Sequence, residues 1–330
     1  MTVADWELLE ARPIRAGHGR VACIANQKGG VAKTTTAVNL GAALALRGHR
    51  VLIVDTDPQG NATTGVGIAR DDVERSTYDL LMGEASLGEV VRKTAVKNLD
   101  CVPASLDLAG AEIELAGVEA RHERLAVALR PVLSDYELIF LDCPPSLGLL
   151  TVNALAAAQD LLVPVQCEYY ALEGLGQLVQ TADRVRRSIN PELRIAGLVL
   201  TMYDSRTRLS AQVAEEVRSH FGDLVYDALI PRSVRLSEAP SFGEPVVTLD
   251  PSSKGATAYR VLATEVEARY GLEVHVPPPP KPKTARPPDG RPVVARGEPG
   301  PRGRGVGTVA PEPDGLDDAW PRPEFWSVFR

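Results

Sequence analysis

The segment Asn26-Gln27-Lys28-Gly29-Gly30-Val31-Ala32-Lys33-Thr34-Thr35 concentrates the residue types that bind phosphate. Adjacent glycines let successive backbone amides turn inward around phosphate oxygens. Lysines stand on both sides of them, and two hydroxyls follow. The apolar run Val21–Ala25 leads into the turn and a helix-like stretch, Thr34–Arg47, leads out of it. A helix start adds partial positive charge. Lys33 is placed to reach the β- and γ-phosphates, and the Thr34 hydroxyl to ligate Mg²⁺. The strict spacing G-x-x-x-x-G-K-[ST] is not met, because Gln27 and Ala32 occupy its glycine positions; the form present is x-K-G-G-x-x-K-[ST]. A ligand-free strand-to-helix turn would not need both lysines. Lys28 beside Lys33 repels it unless an anion lies between them.

Two further stretches supply carboxylates. Val51-Leu52-Ile53-Val54 runs into Asp55-Thr56-Asp57, with acids at i and i+2. Leu138-Ile139-Phe140-Leu141 runs into Asp142-Cys143-Pro144-Pro145, the Walker B form in which the Asp holds Mg²⁺ directly or through water. One acid after an apolar strand is weak evidence, since Asp often only caps a helix there. Two such strand ends downstream of a lysine-rich phosphate loop reinforce each other. In open α/β sheets, ligands bind at the carboxyl ends of strands, where all three motifs fall.

The scaffold that positions them is legible as short apolar runs: Val21–Ala25, Val51–Val54, Leu99–Val102, Leu138–Leu141, Leu161–Val165, Ile195–Leu200 and Leu224–Ile230. Helix-like stretches separate most of them, among them Thr34–Arg47, Ala120–Leu129, Leu172–Ile189 and Ala211–His220, with Gly48 as a helix C-cap. The runs do not alternate with polar residues, which fits strands buried on both sides. The expected fold class is therefore α/β and P-loop NTPase-like: a mostly parallel, twisted sheet with helices on both faces. Residues 1–19 form a polar lead, 20–272 the domain, and 273–330 a tail holding 14 of the 26 prolines. Such a tail lacks the apolar content to offset ordering and is expected to be disordered, apart from its aromatic end, Trp320 to Phe329.

Of 330 residues, 43 are acidic and 36 basic, so the net charge of −7 gives no overall attraction to nucleic acid; any such contact must come from a local basic patch. Cys23, Cys101, Cys143 and Cys167 form no C-x-x-C pair. They read as reduced, partly buried thiols and not as a zinc site or disulfide framework. Residues 1–20 carry Asp5, Glu7 and Glu10 and no apolar core of a signal peptide. No apolar run reaches the ~18 residues of a membrane span. A soluble, cytoplasmic protein is expected.

With these motifs in place, the chain resembles the ParA/Soj family of chromosome and plasmid partitioning ATPases, which carry a deviant Walker A loop. The resemblance rests on Asn26–Val31, Asp57–Thr63, Asp142–Gly148, Leu172–Leu175 and Ile230–Ser241, in that order, across roughly residues 20–272. It implies ATP and Mg²⁺ as ligands, held by Lys28, Gly29, Gly30, Val31, Ala32, Lys33, Thr34 and Thr35. Pro231 and Arg232 would lie near the adenine. Thr34, Asp55 and Asp142 would serve the metal, and Asp57 would orient the attacking water. Lys28 would reach across an ATP-dependent homodimer to the partner's phosphates, in the manner of an arginine finger. Ala32 departs from the glycine of most members; alanine disfavours only positive φ there, so binding should survive. The resemblance further implies nonspecific DNA binding through Arg206, Arg232 and Arg235, slow hydrolysis stimulated by a ParB-like partner, and a nucleoid-associated location.

Alternatives remain. An orphan relative that positions a protein cargo would share all of the chemistry. A MinD-like membrane switch needs a basic amphipathic C-terminal helix, which Pro321 and Pro323 interrupt. An iron–sulfur carrier of the same superfamily would need a second cysteine to accompany Cys143, and the sequence offers no suitable one. A metabolic P-loop enzyme would need a second substrate motif, and none of the five histidines stands beside a catalytic carboxylate.

Overall fold

All seven apolar runs become strands. In a computed structural model, which describes residues 19–168 and 173–273, the strands are β1 (Arg20–Ile24), β2 (Val51–Asp55), β3 (Arg92–Lys93), β4 (Leu99–Val102), β5 (Leu138–Asp142), β6 (Asp160–Gln166), β7 (Arg194–Tyr203) and β8 (Val225–Pro231). They form one sheet in the order β3-β4-β2-β5-β1-β6-β7-β8. Every pairing is parallel except that of the added edge strand β3 with β4. The lead through residue 18, the tail from residue 274 with its aromatic end, and Leu172 of the Leu172–Leu175 motif lie outside the described residues.

The helices are α1 (Lys33–Leu46), α2 (Asn61–Gly65), α3 (Thr77–Met82), α4 (Leu87–Val90), α5 (Leu108–Glu114), α6 (Arg124–Leu129), α7 (Leu149–Ala157), α8 (Glu173–Ser188), α9 (Arg208–Phe221), α10 (Val234–Glu238), α11 (Val246–Leu249) and α12 (Lys254–Tyr270). Gly48 takes φ 108° just past α1, the position where glycine ends a helix most easily. The stretch expected to be helical from Ala120 begins only at Arg124, because Ala120 turns into the left-handed region at φ 52°. Helix α9 begins earlier than expected, at Arg208, because the Thr207 side chain caps it by accepting from Ser210 N.

Strand residues of one parity, including Ala22, Ile24, Val51, Ile53, Leu138 and Phe140, share a core with α1 and α12. Residues of the other parity, such as Val21, Cys23, Leu52 and Val54, are equally buried outside that cluster. A second helical layer of α3, α5, α6, α7 and α8 packs together there. Two-sided burial is the reason the runs read as continuously apolar. Tyr259 of α12 meets α1 through Thr36, hydroxyl to hydroxyl, at 3.2 Å.

The amino ends of the strands are pinned by ion pairs and hydrogen bonds. Asp160, fully buried, accepts from Arg20 at the start of β1 (2.8–3.0 Å) and from Arg194 at the start of β7 (2.8 Å). The buried His49 ring bridges Glu137 and Glu267, and Arg47 closes on Glu267 as well. Gly197 of β7 is fixed by close approach: an added Cβ would enter the Tyr226 ring and lie 2.6 Å from Arg269 Nη1. That guanidinium stacks 3.8 Å over Tyr226 and donates to Ala196 O and Leu224 O. We expect Gly197→Ala to lower unfolding free energy by about 1–3 kcal/mol through overpacking, read as a shift in the urea midpoint.

Candidate active site

Register brings the functional strand ends together. Ile24 of β1 pairs with Asp142 of β5, and Asp142 pairs with Asp55 of β2. The phosphate loop therefore rises directly beside Asp142, with Asp55 one strand further on. Its entry is held by Asn26, whose amide donates to Pro164 O of β6 (2.8 Å) while its Oδ1 accepts from Lys28 N (3.0 Å). Gly29 and Gly30 are exposed, Gly30 at φ 74°. Ala32 sits at φ 69°, ψ 34°, and no side chain caps α1 after it. The first amides of α1 are thus available to an anion. Alanine therefore stands in the left-handed region that was expected to disfavour it.

Lys33 is buried, and its Nζ donates to Lys28 O at 3.2 Å. Burial pushes its pKa below the ordinary value, and the Asp142 and Asp57 carboxylates hold it up. Lys28 is half-buried and its amine forms no ion pair among the described residues. A cleft of about 220 Å³ opens beside Thr34 and Thr35, lined also by Asn39, Asn61, Pro240 and Glu244.

The two acids have different surroundings. Asp55 is fully buried and already engaged: Oδ1 accepts from Asp57 N (3.1 Å), Oδ2 from Thr63 N (2.8 Å) and from the Thr63 hydroxyl (2.7 Å). Burial raises its pKa to about 6 despite these donors. Asp55 thereby orients the backbone of Asp57, whose own Oδ1 accepts from Gln59 N (2.9 Å). Asp142 is different. Both of its oxygens are buried without a hydrogen-bond partner of ordinary geometry, although the Thr34 hydroxyl lies close enough to ease the charge. Burial, then the Asp55 charge, drive its pKa well up.

The contrast with Asp160 is informative, since an equally buried carboxylate in the same sheet is closed by two arginines. An orphaned buried carboxylate costs several kcal/mol unless a cation completes it. Asp142, the Thr34 hydroxyl and an uncapped helix start together fit Mg²⁺ accompanied by phosphates. Among the described residues no cluster of three or more acidic, His or Cys side chains could hold a metal unaided. Mg²⁺ characteristically takes only one or two carboxylates and completes its shell with water and substrate phosphates.

Pro231 ends β8 in register with Tyr203, and Arg232 N donates to Tyr203 O (2.9 Å). They lie at the carboxyl end of their strand, as the loop does, but no hydrogen bond among the described residues joins them to positions 28–35. The three arginines expected to meet DNA are each paired: Arg206 with Asp204 (2.7 Å), Arg232 with Glu168 (3.1 Å), Arg235 with Glu238 (3.2 Å) and Asp250 (3.5 Å).

Two expectations for the cysteines need correction. All four are free and fully buried, not partly so. Cys143 does have a neighbour: Cys23 Sγ lies 3.3 Å from its Sγ, since β1 and β5 are adjacent. Burial pushes the Cys23 thiol up, so the pair packs the core and is no exposed cluster ligand. Sequence reasoning passed over Thr63, which also accepts from Ala104 N (2.9 Å), and Thr201, whose hydroxyl donates to Val31 O (3.1 Å). Thr63 lies within a quoted motif; Thr201 carries no sequence signal of its own.

The AAA domain family matches residues 19–195. Over 250 residues the chain is 56% identical to the sporulation initiation inhibitor protein Soj of Bacillus subtilis, covering 76% of this chain and 99% of that one. It is likewise 56% identical over 252 residues to the chromosome partitioning protein ParA of Caulobacter vibrioides, covering 76% and 94%. Among solved structures, a protein described as cobyrinic acid a,c-diamide synthase of Mycobacterium smegmatis, with bound ATP analog and magnesium, superposes with a TM-score of 0.68. It is 39% identical, covering 77% of this chain and 96% of that one. On sequence identity, coverage and the order of its motifs, the chain belongs to the ParA/Soj family of chromosome-partitioning ATPases.

Proposed function

We propose that this chain is an ATP-hydrolysing switch that dimerises on ATP, binds DNA without sequence preference and is reset when a ParB-like partner stimulates hydrolysis. The carrying observation is the buried, unpartnered Asp142 beside the uncapped start of α1 and the buried Lys33. Residues Gly29 to Thr35 bind the phosphates through backbone amides, the Lys33 amine and the Thr34 and Thr35 hydroxyls. Asp142 and Thr34 hold Mg²⁺, with Asp55 bracing the segment that carries Asp57. When bound, the metal neutralises charge that develops on the transferring phosphate. Asp57 orients the attacking water, and Lys28 reaches the phosphates of the second subunit. Pro231 and Arg232 flank the base.

Loss of the γ-phosphate removes the contacts that favour the dimer, and the equilibrium returns to monomer. Arg206, Arg232 and Arg235 meet the DNA backbone. Exposed ion pairs contribute only about 0–1 kcal/mol, so phosphates can displace their carboxylate partners at little cost. Cytoplasmic, nucleoid-associated localisation follows from this activity. No described helix is long and apolar enough to cross a membrane.

Asp57→Ala tests the cycle. It should bind ATP, lose hydrolysis by about a hundredfold, in line with removal of a positioned catalytic group, and remain on DNA after partner addition. Wild-type turnover in this variant would exclude Asp57 as the water-orienting group. The 39% identical diamide-synthase structure favours a biosynthetic enzyme as the second reading. That reading predicts ATP turnover that depends on a small-molecule co-substrate and ignores DNA.

A further inference from the structure

The far end of β7 reaches the phosphate loop through one side chain. Strand β7 lies two places from β1, beyond β6. Thr201, near its carboxyl end, is fully buried, and its hydroxyl donates to Val31 O at 3.1 Å. The Thr201 backbone is itself fixed, because its carbonyl accepts from Cys167 N at 2.8 Å. In a trans peptide the carbonyl of one residue and the amide of the next point in opposite directions, and the described chain contains no cis bond. Holding the Val31 carbonyl toward β7 therefore turns the Ala32 amide away from β7.

Ala32 is the residue that most needs this support. It holds φ 69° with a Cβ, in the region where L-residues are strained. Its carbonyl is fixed on the other side by Thr36 N at 2.9 Å, the first bond of α1. A hydroxyl on one flanking peptide and a helical amide on the other thus keep the alanine left-handed.

We propose that Thr201 is a positioning residue of the nucleotide site: through the Val31 carbonyl it holds Ala32 in its left-handed conformation and aims the Ala32 amide at the phosphates. This inference rests on the ATP-binding reading above. Asn26 performs the matching task at the loop's entry through Pro164 O, so the loop is clamped to β6 at one end and β7 at the other.

The test is calorimetric titration of the full-length chain with ATP and Mg²⁺, comparing wild type, Thr201→Val, Thr201→Ser, and Thr201→Val combined with Ala32→Gly. Circular dichroism confirms folding, and Thr201→Ala replaces the valine variant if the latter does not fold. Thr201→Val should weaken ATP binding at least tenfold, and serine should restore it to within about threefold of wild type. The added Ala32→Gly should recover most of the loss, because glycine adopts positive φ without support; general destabilisation from a lost core hydroxyl would not be rescued at that position. If wild type binds ATP and Thr201→Val binds equally well, or if Ala32→Gly rescues nothing, this inference falls alone. If wild type binds no ATP, the nucleotide reading falls and takes this inference with it.

Discussion

Asp142→Asn should cut Mg²⁺-dependent ATP hydrolysis by about a thousandfold while making the metal-free protein more stable. Loss of a metal-held charge removes several kcal/mol of transition-state stabilisation, and each ~1.4 kcal/mol is tenfold in rate. The stability gain has the same cause as the activity loss. Both Asp142 oxygens are buried without a hydrogen-bond partner of ordinary geometry, and its folded-state pKa lies well above the ordinary carboxylate value, first through burial and then through the Asp55 charge, against the weaker pull of the Thr34 hydroxyl and Lys33.

A raised folded pKa means that stability is full below the unfolded value of about 4 and is lost as pH rises toward the folded value. The neutral amide escapes that loss. In EDTA, Asp142→Asn should therefore melt above wild type at neutral pH, and the difference should vanish below about pH 4. Mg²⁺ competes with the proton at Asp142, so acidification should weaken metal-dependent nucleotide binding at pH values well above 4. Melting curves across pH, with and without Mg²⁺, check both signs. A variant that hydrolyses ATP normally would remove Asp142 from the metal site.

The second large effect concerns Lys28. It is half-buried beside Lys33, and its amine has no ion-pair partner among the described residues. Its backbone, in contrast, is part of the loop: the amide is held by Asn26 and the carbonyl accepts from Lys33. Alanine keeps those main-chain bonds and removes only the cation. Lys28→Ala should therefore bind ATP within a few-fold of wild type while its ATP-dependent dimer weakens by about a hundredfold or more, the scale of a charge supplied across an interface. Sedimentation velocity with ATP measures this. A dimer of normal stability would end the assignment of Lys28 to the partner's phosphates.

The parts of this fold that were legible are those buried on two sides. Leu138–Leu141 reads as a strand because neither face tolerates a polar residue, and the acid that follows is visible by contrast. Helix α12 is hard to read from the sequence, although Ala256, Tyr259, Ala263, Val266 and Tyr270 form its buried stripe. That stripe is diluted by Glu267, buried for its bonds to Arg47 and His49. Strand β3 was illegible because Arg92 and Lys93 are exposed edge residues with no apolar signal.

At the site, residue types announced the loop and the acids, but not how they are held. Thr201 and Asn26 act on backbone carbonyls contributed by distant parts of the chain, and such bonds leave no local pattern. The Cys23–Cys143 proximity was hidden for the same reason, since only the β1–β5 register creates it. Ala32 was noticed as a departure; its left-handed geometry required the structure.

DNA binding by the purified protein, with ATP, with ADP and with no nucleotide, across a salt series, tests the switch most directly. Binding is expected only with ATP, falling steeply as salt rises because the arginines release counterions from phosphates, with Arg206→Ala and Arg235→Ala reducing both affinity and salt slope. Equal binding in all nucleotide states, or none in any, would contradict the switch.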